Sequence, residues 1–292
     1  PRLPGVPRVY DSQNCEVAVK APLLGRTLAG RYLSRRVAAV ERHALAHADL
    51  TLASSPADAE QFERRYGTPR ERIVLVPNGV DCERIRPGGP ADGCELRRRL
   101  GLGGEPLAIF VGSDYEPNLE SVDFIVDGLA PACPGVRFVI VGGVGDGWRA
   151  RRARQLPDNV HMTGLADDEL LLLCYRGADF AINPMRLGSG TNIKMLDYLA
   201  SGLPIATTAE GARGLSGTPG RHWLQEPRAS LAEAVRRLAD QPELRRTLAA
   251  EARALAESSY DWRAISSQYA EALHTLLERF RSGGTTNGKA MT

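Results

Sequence analysis

The stretch Pro184-Met-Arg-Leu-Gly-Ser-Gly-Thr-Asn-Ile-Lys-Met-Leu-Asp-Tyr-Leu-Ala-Ser-Gly-Leu-Pro204 decides the reading of this chain. An apolar run, Ala178-Asp-Phe-Ala-Ile-Asn183, leads into it, so the order is strand, glycine loop, helix, a Gly202-Leu203-Pro204 stop, and a new strand at Ile205-Ala206-Thr207. Gly188 and Gly190 let the backbone turn sharply and approach a ligand. The helix opening near Thr191 and Asn192 presents unpaired N–H groups, which makes it a predicted anion site. Lysine occurs only at Lys20, Lys194 and Lys289 among 37 basic residues. Lys194 is thus a compact point charge in an arginine-rich chain, and it suits a phosphate. Asp197 follows Thr191 by six residues, roughly 9 Å along a helix, where a carboxylate reaches the hydroxyls of a ribose whose diphosphate sits at the helix tip. The plainer alternative is a turn that only packs, with Lys194 and Asp197 as an exposed i,i+3 pair.

Working outward from that loop, short apolar runs alternate with helical patterns from Leu107 onward. Leu107 to Val111, Val136 to Val141, Val160 to Thr163, Phe180 and Pro204 mark strands. Helices are expected from about Asn118, near Trp148 and across Asp168 to Tyr175. This alternation predicts a parallel sheet with helices on both faces and ligands at the carboxyl ends of its strands. Gly112, Gly142-Gly143, Gly164 and Gly188 to Gly190 all follow strands, so they should crowd one edge. Before this unit, Val6 to Asp11, Thr51 to Ser54 and Ile73 to Val76 read as strands. An arginine-rich helix from about Arg31 to His47 lies between the first two, and another follows Ser55-Pro56. Pro87-Gly-Gly-Pro90 reads as a linker. Helices are expected at Leu231 to Ala239, Pro242 to Ser258 and Trp262 to Phe280.

With 292 residues, 43% hydrophobic and 25% charged, the chain is long enough for two domains with cores, and its net charge of +2 implies no nucleic-acid face. Basic clusters such as Arg97-Arg98-Arg99 read as solvated helix faces. The five cysteines are scattered and form no C-x-x-C pair, which argues for a reducing cytoplasm and against a disulfide framework or zinc site. No apolar run approaches a membrane span. The expected location is cytoplasmic, at most peripheral to the inner face of a membrane.

Taken in order, the landmarks resemble the retaining glycosyltransferases of family 4, with the two-domain GT-B fold. They are Val9-Tyr-Asp-Ser-Gln-Asn14, Ala48-Asp49 to Ser54, Pro77-Asn-Gly-Val-Asp81, Phe110-Val-Gly112, Val139-Ile-Val-Gly142, Gly188 to Pro204 and Glu210-Gly-Ala-Arg-Gly-Leu215. The resemblance implies an α/β fold of two Rossmann-like parallel-sheet domains, the first lacking its front by about a hundred residues. The implied boundaries are 1–86 for the acceptor-side domain, 87–260 for the nucleotide-sugar domain, 261–281 for a crossover helix and 282–292 for a disordered tail. It implies transfer of a sugar from a nucleotide diphosphate sugar to an acceptor hydroxyl of a glycan, lipid or small molecule, with retention, in glycan or polysaccharide biosynthesis. Neither cofactor nor metal is implied.

The same resemblance carries the family's two glutamates onto Ser189 and Asp197, its diphosphate-neutralising arginine and lysine onto Ser113 and Asn118, and a frequent histidine onto Gln13. Lys194 becomes the compensating cation, so the catalytic candidates are Lys194, Asp197 and Ser189. The donor-binding candidates are Gly112, Ser113, Asn118, Gly164, Leu165, Arg186, Gly188, Gly190, Thr191 and Asn192, with Gly164-Leu165 covering the base through backbone groups.

Three competing readings remain at this level. Gly145-Asp-Gly-Trp-Arg-Ala150 after a strand, with Asp167 and Asp168 roughly twenty residues on, matches a dinucleotide fingerprint and would make a nicotinamide oxidoreductase. The chain could instead bind donor without transferring it, or serve as a partner subunit. His43 and His47, one helical turn apart, read as a surface or packed pair rather than metal ligands, and Asp167-Asp168-Glu169 as a helix cap.

Overall fold

The computed structural model describes residues 6–25, 27–152, 154–188 and 190–284. By contacts the chain divides into two compact units, one of residues 1–78, 189–191 and 263–292, the other of residues 79–188 and 192–262. The sequence alone drew its divisions at 86/87 and 260/261.

The larger unit is a six-stranded parallel sheet. Its strands are β4 (Leu107–Val111), β5 (Arg137–Val141), β6 (Val160–Gly164), β7 (Phe180–Asn183), β8 (Ile205–Thr207) and β9 (Leu224–Gln225), in the order β6-β5-β4-β7-β8-β9. Numbered within the unit this is 3-2-1-4-5-6, the doubly wound order whose direction reverses between the first and fourth strands. The apolar runs are continuous because both faces are covered. Ala108, Phe110, Phe138 and Ile140 pack on one side with Leu119, Trp148 and Val235, while Leu107, Ile109, Val139 and Val141 pack on the other with Leu96, Cys174 and Leu196.

The helices of this unit are α4 (Pro90–Leu100), α5 (Glu116–Phe124), α6 (Ala130–Ala132), α7 (Val144–Arg152), α8 (Asp168–Gly177), α9 (Ile193–Ala200), α10 (Leu231–Asp240) and α11 (Pro242–Leu255). The predicted linker at Pro87 to Pro90 instead runs straight into α4. Pro90 takes a first-turn position, where its missing N–H costs nothing, and Asp92 accepts from the Gly89 amide at 3.0 Å.

The smaller unit carries β1 (Val9–Ser12), β2 (Leu50–Ala53) and β3 (Ile73–Leu75), parallel in the order β1-β2-β3. Its helices are α1 (Glu16–Leu24), α2 (Leu28–His47), α3 (Pro56–Tyr66) and most of α12 (Trp262–Gly284). Ser55 caps α3 as its sequence position predicts, accepting from the Asp58 amide. Helix α1 was not foreseen. Two carboxylates hold its start: Asp58 accepts from the Cys15 amide at 2.8 Å, and the buried Glu41 of α2 accepts from the Glu16 amide at 2.6 Å and from the Tyr66 hydroxyl at 2.5 Å. Helix α12 packs Leu276, Tyr269 and Leu273 against Leu50 and Leu52. It runs to Gly284, so residues 282–284 are helical rather than part of a disordered tail; the rest of that tail lies outside the described residues. Among the described residues no helix is long and apolar enough to cross a membrane.

Candidate functional site at the strand-order reversal

The loops after β4, β5 and β6 meet through their glycines, as predicted. The Gly142 amide donates to the Gly164 carbonyl at 3.0 Å, and the Gly112 amide donates to Val141. Gly142 has φ +100°, and a Cβ there would stand 2.6 Å from the Gly112 carbonyl oxygen, so two constraints require glycine. Gly164, at φ +70°, leads to Leu165, whose amide donates to the Asp146 carboxylate at 2.9 Å. That bond fixes the backbone of the Gly164-Leu165 turn.

Lys194 is the centre of the site. Asn192 is the N-cap of α9, so Lys194 is the second helical residue and its cation stands at the positive end of the helix. Its Nζ donates to Asn118 Oδ1 at 2.8 Å and lies 4.1 Å from the centre of the Phe110 ring. Both neighbours are neutral, and burial lowers the ammonium pKa to about 7. Asn118 is itself held, since its Nδ2 donates to the Ser113 carbonyl at 3.0 Å, and a Cβ on Gly112 would press against its side chain at 3.1 Å. The positions to which the resemblance carried cations, Ser113 and Asn118, therefore orient the cation of another helix. The plain alternative of an exposed Lys194–Asp197 pair does not form. Asp197 accepts from the Tyr175 hydroxyl at 3.0 Å, and burial pushes its carboxyl up to about 6 against the opposing pull of that bond and of Arg84. Tyr198, the next residue, accepts from the Val111 amide at 2.8 Å and ties α9 to the end of β4.

One expectation about the helix opening is corrected. The Asn192 amide donates to the Arg213 carbonyl at 3.4 Å and is not available to an anion. The first-turn amides of Ile193 and Lys194 take that place, because a helix start leaves such groups without intrahelical acceptors. Thr191 Oγ1 is buried without a hydrogen-bond partner. Gly188 and Gly190 both have positive φ, at 140° and 68°. Ser189 lies outside the described residues. Arg186 pairs with Glu120 at 3.1 Å, and Glu120 also receives Arg228 at 2.5 and 2.6 Å while Arg228 donates to the Pro184 carbonyl at 2.7 Å. This cluster anchors the start of the glycine loop. Phe110, Tyr175, Glu120 and Arg228 were missed in the sequence. Only Phe110 carried a signal, as the last apolar residue but one before Gly112.

The competing motifs resolve locally. Gly145 and Gly147 lie inside α7 rather than in the turn after β5, where a dinucleotide fingerprint places its first glycines. Gly145 faces Met162 and Gly147 faces Asp114, so both serve close packing. Asp167 caps α8 at the Leu170 amide, Asp168 pairs with Arg84 and Glu169 with Arg99. His47 Nδ1 is taken by the His43 carbonyl at 2.8 Å.

Two Rossmann-like parallel-sheet units, with a cation and a helix start at the strand-order reversal of one of them, define an α/β protein of the GT-B class. Comparison with known proteins agrees. Residues 105–241 match the model of glycosyl transferases group 1 and residues 24–84 that of glycosyltransferase family 4. The chain belongs to this family of retaining glycosyltransferases. It is 32% identical over 226 residues to a D-inositol 3-phosphate glycosyltransferase of Nocardia farcinica, covering 72% of this chain and 48% of that protein. It is 27% identical over 247 residues to a glycogen synthase of Mycobacterium tuberculosis, covering 82% and 57%. The chain thus spans about half the length of the curated relatives it matches. Solved structures of the same fold include sucrose-phosphate synthase from Thermosynechococcus elongatus, with TM-score 0.72, 22% identity and coverage of 92% of this chain and 68% of the other. Anabaena Alr3699/HepE in complex with UDP-glucose superposes with TM-score 0.70 and 19% identity, covering 92% and 72%.

Proposed function

We propose that the chain binds a nucleoside diphosphate sugar in its larger unit and transfers the sugar, with retention, to an acceptor hydroxyl in glycan or polysaccharide biosynthesis. The observation that carries this reading is Lys194, a cation held among neutral groups at the positive end of a helix. Burial and the helix N-terminus disfavour its charge in the free protein, and the contacts with Asn118 and the Phe110 face offset that cost only in part. The balance turns favourable once a diphosphate arrives.

In this reading Lys194 and the first-turn amides of α9 meet the charge that grows on the departing phosphate, and they supply the main transition-state stabilisation. That assignment needs no metal and no cofactor. Asn118 positions the lysine, Asp197 accepts from the ribose hydroxyls, and the backbone at Gly164 and Leu165 borders the base. Gly112 and Gly188 leave room for the phosphates, while Glu120 and Arg228 hold the loop that carries Arg186. The complex of Anabaena Alr3699/HepE with UDP-glucose, on the same fold, supports a nucleotide sugar as donor. Calorimetry with UDP, GDP, ADP and NAD tests the reading. A diphosphate should bind and NAD should not; NAD binding without any nucleoside diphosphate would overturn it.

A further inference from the structure

The loop after β8 carries the landmark Glu210-Gly-Ala-Arg-Gly-Leu215, and buried hydrogen bonds fasten it to the end of β7. The Thr207 hydroxyl donates to the Asn183 carbonyl at 3.0 Å, the Asn183 side-chain amide to the Gly211 carbonyl at 2.9 Å, and the Thr208 hydroxyl to the Met185 carbonyl at 2.5 Å. A satisfied network of this kind rigidifies its surroundings, and Arg213 follows directly from it. The Arg213 carbonyl accepts from the Asn192 amide at the start of α9. Its guanidinium turns to the glycine loop with both terminal nitrogens: a Cβ on Gly188 would stand 3.2 Å from Nη2 and 4.0 Å from Nη1. The side chain is half-buried, and burial lowers its pKa from the ordinary arginine value while Glu210 and Tyr115 oppose that shift. Tyr115 is the N-cap of α5, in the loop after β4. Arg213 thus reaches both loops, after β4 and after β7, that flank the strand-order reversal.

We infer that Arg213 is the second cation of the donor site and binds the distal phosphate of the nucleoside diphosphate, an inference that rests on the donor reading proposed for this unit. The sheet order gives the direction, because the strands run β6-β5-β4-β7-β8 along the edge. With the base at the turn after β6 and the ribose at Asp197, the diphosphate extends toward β7 and β8, where Arg213 stands. The resemblance places an arginine at Ser113, in the loop after β4, and this chain is neutral there. Arg213 brings a guanidinium to the same crevice from the loop after β8, beside Tyr115, two residues beyond Ser113. The two cations also differ in kind. Lys194 can lose its proton near neutrality, whereas a guanidinium stays charged and its fork takes two phosphate oxygens at once.

Calorimetry on the 292-residue chain tests it, with whichever of UDP, GDP or ADP the parent binds and with the matching monophosphate measured by competition. Arg213→Ala should weaken the diphosphate roughly ten- to a hundredfold, the effect of one hydrogen-bonded charge, and leave the monophosphate within about twofold. Arg213→Lys keeps a cation and the apolar stem but lacks the fork. It should melt with the parent and lose several-fold in diphosphate affinity alone, and it decides the matter if the alanine variant does not fold. An unchanged diphosphate affinity would overturn the inference. Equal losses for monophosphate and diphosphate would overturn it too, because Arg213 would then only hold the glycine loop. The parent separates the two possible failures. If it binds no nucleoside diphosphate, the donor reading falls and takes the inference with it; if it binds one and the variants match it, only the inference falls.

Discussion

The molecule handles positive charge in two opposite ways. At the strand-order reversal a single lysine is desolvated between an amide oxygen and an aromatic face, with its pKa lowered to about 7. On α2 several arginines stand in water, and the helix's one acid is buried beneath them. The difference lies in the dielectric around the charge. One buried cation interacts strongly with one anion and can lose its proton near neutrality; many exposed cations act additively and are screened by salt. The first arrangement suits a particular ligand, the second an extended surface.

The largest effect expected from disturbing this contrast is at Lys194. Lys194→Ala should weaken UDP binding by roughly 1.5–3 kcal/mol, the range for a hydrogen bond to a charged group. The fold should survive, because the removed charge is one the empty site does not favour. Calorimetry on the folded variant decides this, and an unchanged affinity would place the diphosphate elsewhere.

The pH profile should separate the two regions next. The folded pKa of Lys194, about 7, lies below the ordinary lysine value, so above pH 7 the free protein increasingly holds a neutral amine. A diphosphate favours the ammonium, so binding above pH 7 takes up a proton. Affinity should therefore fall as pH rises from 7 to 9, approaching about tenfold per pH unit. Lys194→Arg should bind weakly, because a planar guanidinium does not fit where the point charge sat, but its affinity should be flat across the same window.

Asp197 offers a smaller and purely thermodynamic test. Its folded pKa is raised to about 6 from an ordinary 3.8, so the folded chain binds this proton more tightly than the unfolded chain does. Stability contributed by the protonated form is present below pH 3.8 and is lost as pH rises through 6. Asp197→Asn keeps a neutral group that can still accept from Tyr175. Its melting temperature should exceed that of the parent by a few degrees at pH 8, at roughly 2–4 °C per kcal/mol, and the two should converge at pH 4. A gap that persisted at pH 4 would assign the effect to shape rather than charge.

Why the larger unit was so legible, and its site only half so, follows from range. Strands such as Leu107 to Val111 are buried on both faces, so their unbroken apolar runs stand out against polar helices, and each glycine after them marks a real turn. Helix α4 hid behind two prolines and two glycines, although Pro90 is in fact a good first helical residue. Strand β9 is only two residues long, too short for any period. Lys194 and Asp197 announced themselves through chemistry and spacing within one helix. Their partners did not: Asn118 is 76 residues from Lys194, and Tyr175 is 22 from Asp197 across a strand. Only the folded sheet brings those pairs together, and it also spends the Asn192 amide on Arg213, which local helix logic had left free.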